Sequence, residues 1–292
     1  MESNKKIKKY AWVTLKLALS ILGFWYAFQK IDVVQFKETL AQSNYWLVGI
    51  SVFIYLLSQL VSSFRLQSIL SVVDNQIPQQ WNAWLYWQGM AYNLFLPGGI
   101  GGDAYKMLAY SKRSSKAAKT YVMPLLADRL FGLFAIVLLL SFLTGQIDFE
   151  MQIDHFSYLI ITTGILLLPL VYYGLKKWFN AYTLVYWNAL VYSLVIQSIQ
   201  ICAIICVLWG LRGETITVDF VLKTAFVFLV SSIATAIPVF MGGLGAREVV
   251  FATLFSAMNL SAEIGVWIAL VFSVVVVVSS APGLLVGLLS KD

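Results

Sequence analysis

Long apolar stretches separated by short charged ones set the plan of this chain. Lys5, Lys6, Lys8 and Lys9 precede an apolar run over residues 10–28. A mixed loop with Lys30, Asp32, Lys37 and Glu38 leads to a second run over 45–66, with Arg65 near its end. Further runs cover 120–143, 156–175, 182–209 and 262–289. A helix of about 20 apolar residues crosses a bilayer, so these six read as full spans. Two other apolar segments, 81–96 and 219–237, end differently. The first stops at Pro97-Gly98-Gly99-Ile100-Gly101-Gly102-Asp103. The second stops at Pro238 and the run Gly242-Gly243-Leu244-Gly245-Ala246-Arg247-Glu248. Shorter helical stretches, 103–119 and 247–258, follow these breaks.

The two glycine runs match without a gap, Gly98, Gly99 and Gly101 recurring as Gly242, Gly243 and Gly245. Irregular backbone at membrane depth is tolerated only where it is buried in protein or lines a wet cavity. The breaks therefore read as tips of two re-entrant hairpins. Charge supports this. With both hairpins re-entrant, the amino terminus, 65–80, 103–119, 176–177 and 291 share one side. That side holds about thirteen of the Lys and Arg against about four opposite, which makes it cytoplasmic. Each half, 1–145 and 146–292, then reads span, span, hairpin, span. Three crossings per half invert the second half. The expected fold is one polytopic all-α integral membrane domain over 1–292. It has six full spans plus two re-entrant glycine-tipped hairpins in an inverted-topology repeat, with both termini cytoplasmic in the cell membrane. The competing reading is that the glycines only let helices pack closely. A dinucleotide fingerprint at Gly99-x-Gly101-x-x-Ala104 fails, because no strand precedes it.

Composition agrees. The 292 residues are 60% hydrophobic and only 12% charged, with mean hydropathy +0.81. A soluble domain is about 25% charged. The net charge of +6 lies beside apolar spans, where it meets anionic lipid rather than nucleic acid. Cys202 and Cys206 are four apart in one apolar helix, a spacing that rarely suits a disulfide. The first apolar run is too long for a signal peptide core and lacks a small-x-small cleavage site. No metal cluster or nucleophile–base pair is visible, so no metal or cofactor is expected.

Ionisable groups within apolar segments carry the functional signal. Each costs about 2.5–3.5 kcal/mol at a helix centre on insertion scales. Asp103, Lys106, Asp128, Arg129, Arg247 and Glu248 should therefore face a shared interior and pair. Adjacent helical residues point about 100° apart, so Asp128 and Arg129 need different partners. The expected pairs are Asp128 with Arg247, and Arg129 with Asp103 or Glu248. The glycine tips add free N–H groups suited to a phosphate. The candidate substrate-binding set is thus Gly98, Gly99, Gly101, Gly102, Asp103, Lys106, Asp128, Arg129, Gly242, Gly243, Gly245, Arg247 and Glu248. The competing reading is a structural ion network joining the repeats. Lys223 and Glu263, near span ends, receive no role, nor does the loop residue His155.

Three ordered motifs resemble one family. Phe95-Leu-Pro-Gly-Gly-Ile-Gly-Gly-Asp-Ala-Tyr-Lys106, Asp128-Arg-Leu-Phe-Gly-Leu133 and Gly242-Gly-Leu-Gly-Ala-Arg-Glu248 look like the lysylphosphatidylglycerol synthase transmembrane-region family. This is the flippase-like domain at the amino end of the multiple peptide resistance factor, and the likeness runs over essentially the whole chain. One departure is Lys106, where many members carry Arg. Another is that the chain stops at Asp292 without the soluble aminoacyl-transferring domain, so no lysyltransferase activity is expected of it. The resemblance implies a flippase-like membrane transporter moving a phospholipid, or a related anionic or aminoacylated lipid, between leaflets. Its implied partners are membrane lipids, and a homo-oligomer or a separate lipid-synthesising partner stays open. The alternatives are a lipid-modifying membrane enzyme or subunit, of the phosphatidylglycerol lysyltransferase type, and a non-transporting scaffold.

Overall fold

The computed structural model describes residues 32–95, 101–147, 154–178, 180–212, 216–236, 243 and 245–289, with residues 22, 25 and 29. Ten α-helices and no strand are found among them. They are α1 (Val33–Gln42), α2 (Tyr45–Leu70), α3 (Gln79–Phe95), α4 (Gly101–Ser114) and α5 (Val122–Thr144), then α6 (Asp154–Trp178), α7 (Tyr186–Arg212), α8 (Val218–Ala236), α9 (Ala246–Ala257) and α10 (Ala262–Leu289). Short 3-10 turns, Ala118–Tyr121 and Asn180–Val185, lead into α5 and α7. The protein is an all-helical, multi-pass membrane protein.

Among the described residues, five segments are long and apolar enough to cross a membrane: Tyr45–Leu70, Ala118–Thr144, Asn180–Leu211, Val218–Ala236 and Ala262–Gly283. Four of them match expected spans. The expected span over 156–175 falls in α6, whose apolar stretch Thr162–Gly174 is shorter. Nearly all of the span expected over 10–28 lies outside the described residues. α8 differs from its sequence reading: expected as one arm of a re-entrant hairpin, it has the length and composition to cross by itself.

α2 shows why these helices need lipid. Phe53, Leu57, Leu60 and Phe64 form an outward stripe at helical spacing, and all are exposed. Ser58, Ser62 and Arg65, on the opposite face, are buried. Apolar area exposed to water costs about 25 cal/mol per Å². A surface of this kind is therefore stable against hydrocarbon, with the polar face turned to the protein interior.

That polar face meets its counterpart on α7. The Asn44 N–H donates to the Gly210 carbonyl at 2.8 Å. Gln200 Nε2 donates to Ser58 Oγ at 3.3 Å, and Arg65 Nη1 to Ser193 Oγ at 3.0 Å. Residue numbers rise along α2 as they fall along α7, so the two helices are antiparallel.

α3 and α4 fold back on each other. The Gly102 N–H donates to Asn93 Oδ1 at 2.8 Å, Tyr105 Oη to Gln88 Oε1 at 2.9 Å, and Tyr110 Oη to Asn82 Oδ1 at 2.5 Å. α8 and α9 do the same, with Gly243 against Thr235 and the Phe220 ring 5.7 Å from Phe255. Both are helical hairpins. Their turns, 96–100 and 237–242 with 244, lie outside the described residues, and with them Gly98, Gly99 and Gly242.

Glu263, read as idle, accepts the Asp32 N–H at 2.7 Å and so ties the start of α1 to the start of α10. Lys223 pairs along its own helix with Asp219 at 2.9 Å. Cys202 and Cys206 are both free thiols.

Gly102 owes its identity to packing. A Cβ built there would meet the Gly89 carbonyl, its carbon only 2.7 Å away, and the Asn93 side chain at 2.9 Å. Neither backbone can withdraw without opening the hairpin. Overpacking of this kind costs about 1–3 kcal/mol. Gly102→Ala is therefore expected to lower the thermal midpoint of the detergent-solubilised protein by several degrees. An unchanged midpoint would show that the two helices are not in this close contact.

Candidate functional site

The charged residues meet in the middle of the bundle. Asp128 lies two turns into α5 and binds Arg65 of α2, Nε to Oδ1 at 2.7 Å, with both side chains buried. The same guanidinium donates to Ser193 of α7, so one arginine joins three helices. Gly132 stands one turn beyond Asp128. A Cβ there would lie 3.2 Å from Arg65 Nη1, so the glycine leaves room for the guanidinium. Arg129, one residue on, points elsewhere and pairs with Asp103 of α4. Asp103 also binds Lys106 at 2.8 Å, and the Lys106 ammonium sits 4.5 Å from the centre of the Tyr86 ring. Asp103 occupies the first turn of its helix, where the backbone dipole favours a carboxylate.

The expectation that Asp128 and Arg129 take different partners holds, and so does the Arg129–Asp103 pair. The Asp128–Arg247 pair does not form: Asp128 binds Arg65. Arg247 projects from α9 toward α10, where its guanidinium lies 4.9 Å from the Phe272 ring centre. Its Nη1 approaches Ser273 Oγ at 3.4 Å. Glu248 does not reach Arg129 either. Its Oε2 accepts the Gly245 N–H at 2.8 Å and its Oε1 the Ser273 hydroxyl at 2.7 Å. It is a buried cap on the start of α9. The chain enters that cap through Gly243 and Gly245, whose φ angles of 77° and 88° favour glycine.

A cavity of about 470 Å³ opens beside these groups. Asp103, Lys106, Asp128, Arg129 and Arg247 line it, and so does Arg65, which the sequence reading treated as a span end. Gly101, Gly102, Gly243, Gly245 and Glu248 do not line it. Gly102 acts through helix packing instead, and Gly243 and Gly245 through their backbone conformation. The rest of the polar wall comes from Tyr55, Gln59 and Ser62 of α2, Tyr86 and Asn93 of α3, Gln197 and Gln200 of α7, Thr235 of α8 and Ser280 of α10. A signal for these was present. Ser58, Ser62 and Arg65 fall at i, i+4 and i+7 of an apolar helix, and Ser193, Gln197 and Gln200 repeat that spacing on α7. Polar stripes at helical spacing within spans mark an interior face.

The family relationship follows from a match over residues 13–186 to the lysylphosphatidylglycerol synthase TM region. The chain belongs to that family. The match takes in Arg65, Asp103, Lys106, Asp128 and Arg129, and ends before α8 and α9. The motif likeness at Gly242–Glu248 thus lies beyond the matched part of the family. No curated protein matches the chain.

Proposed function

We propose that this member of the lysylphosphatidylglycerol synthase TM region family is a flippase-like transporter. It moves a phospholipid, or a related anionic or aminoacylated lipid, between the leaflets of the cell membrane. The observation that carries this reading is the cavity itself. It holds charged groups from the first hairpin, Asp103 and Lys106, and from the second, Arg247, between apolar walls that include Leu130, Leu133 and Ile136. Its volume suits a headgroup, within the range of about 300–1,000 Å³ usual for ligand pockets.

The packing suits alternating access. In each half a long helix, a hairpin and a second long helix follow in the same order. α3 packs on α10 and α8 packs on α5, so each hairpin leans on the other half's last span. The antiparallel α2–α7 seam is the relation that an inverted repeat requires of its equivalent helices. On this reading both hairpins are re-entrant, both termini are cytoplasmic, and the function is transport rather than catalysis. A scaffold would need the hairpins but no cavity.

The test is reconstitution into liposomes with a headgroup-labelled phospholipid in the inner leaflet and a membrane-impermeant quencher outside. The expected result is exchange well above the rate of protein-free vesicles. Exchange at the protein-free rate, with the protein shown to be folded and inserted, would overturn the reading.

A further inference from the structure

The charge balance of the cavity narrows its ligand. Its walls carry four cationic side chains, Arg65, Lys106, Arg129 and Arg247, and two carboxylates, Asp103 and Asp128. Both carboxylates are already bound to those cations. Arg247 has no carboxylate within ion-pair distance among the described residues. Its Nε is buried without a hydrogen-bond partner. Glu248 lies behind it, linked through the Ser273 hydroxyl. With Glu248 counted, one positive charge is still in excess. The hairpin turns cannot supply the missing anion, because residues 96–100, 237–242 and 244 carry no ionisable side chain.

The remaining polar wall is neutral, and its amides and hydroxyls include those of Gln59, Ser62, Gln197 and Gln200. One of these, Gln197 Oε1, is buried and has no hydrogen-bond partner. Such groups suit ligand hydroxyls. A phosphate can take two hydrogen bonds from a guanidinium. An ammonium would enter a positively charged cavity with no free carboxylate to receive it, and like charges repel. The rim is apolar. Leu130 and Leu133 line the cavity and are still exposed on α5, which suits a ligand that keeps acyl chains in the membrane.

We propose that the cavity, taken as the lipid site of the preceding reading, selects an anionic phospholipid with a neutral, hydroxyl-bearing headgroup. The phosphate lies on Arg247 and the hydroxyls on the amides of α2 and α7. A headgroup bearing an ammonium, lysylphosphatidylglycerol included, is disfavoured.

The test is equilibrium binding to the full-length protein in phosphatidylcholine nanodiscs or micelles, followed by tryptophan fluorescence. The three probes are phosphatidylglycerol, lysylphosphatidylglycerol and soluble glycerol 3-phosphate. Phosphatidylglycerol is expected to bind at least about tenfold more tightly than either of the others. Arg247→Gln is expected to weaken it by about 10- to 100-fold, the range for a lost hydrogen bond to a charged group. Gln200→Glu, which places a carboxylate in the neutral wall, should move the preference toward the lysylated lipid. Equal or tighter binding of lysylphosphatidylglycerol to the unaltered protein would overturn the proposal. Glycerol 3-phosphate binding as tightly as the lipid would overturn its lipid part. Because the assay reads binding, selective binding without leaflet exchange would refute transport and leave this selectivity standing.

Discussion

Asp128→Asn is expected to destabilise the detergent-solubilised protein by about 3–5 kcal/mol, and Arg65→Gln by a similar amount, while the double variant loses much less than the total of the two. The Arg65 guanidinium and Asp128 carboxylate lie 2.7 Å apart with both side chains about 93% buried, since each is 7% exposed. In so dry a site the pair offsets its own desolvation only while both charges are present. Removing Asp128 leaves the arginine with neutral partners such as Ser193 and no carboxylate bound to it. Removing Arg65 leaves the buried Asp128 carboxylate without the guanidinium that binds it. The double variant removes both uncompensated charges at once. The measurement is a double-mutant cycle from denaturant unfolding in micelles. Simple additivity would show that the ion pair does not hold α2 to α5.

Asp103→Asn is expected to reduce lipid exchange by about 10- to 100-fold while the protein still inserts and runs as a single species on size exclusion. Asp103 is the carboxylate that Lys106 of its own hairpin and Arg129 of α5 both bind. Each hydrogen bond to a charged group contributes about 1.5–3 kcal/mol. The asparagine keeps the shape and loses the charge that holds two cations together. If the hairpin moves against α5 as access passes from one leaflet to the other, this junction must break and reform. Arg129→Lys retains a cation for Asp103 and is expected to keep more activity than Asp103→Asn. A well-folded Asp103→Asn protein with full exchange would remove this junction from the transport cycle.

Much of the architecture was legible in the chain. Runs of about 20 apolar residues set the long helices, because a bilayer demands that length. Gly-Gly-aliphatic-Gly after a proline marked both helical hairpins, since neither residue type sustains a helix interior. The 100° step between Asp128 and Arg129 dictated that they face different helices. α8 departs from the short arm expected of it only in length and apolarity: its 19 residues have those of a span.

Local spacing determined which residues must be inside, but not whom they meet. Asp128 is 63 residues from its partner Arg65, and Ser193 is 128 residues from that same arginine. Such pairings depend on how far one helix slides and turns against another, a quantity set by the whole packing and not by the period of either helix. For the same reason only the tertiary structure showed that Asp103 and Asp128 are both bound by cations and that Arg247 has no carboxylate within ion-pair distance among the described residues. The sequence by itself determined an all-helical membrane protein with buried charge. The assembled helices decided where that charge is balanced and where it is left in excess.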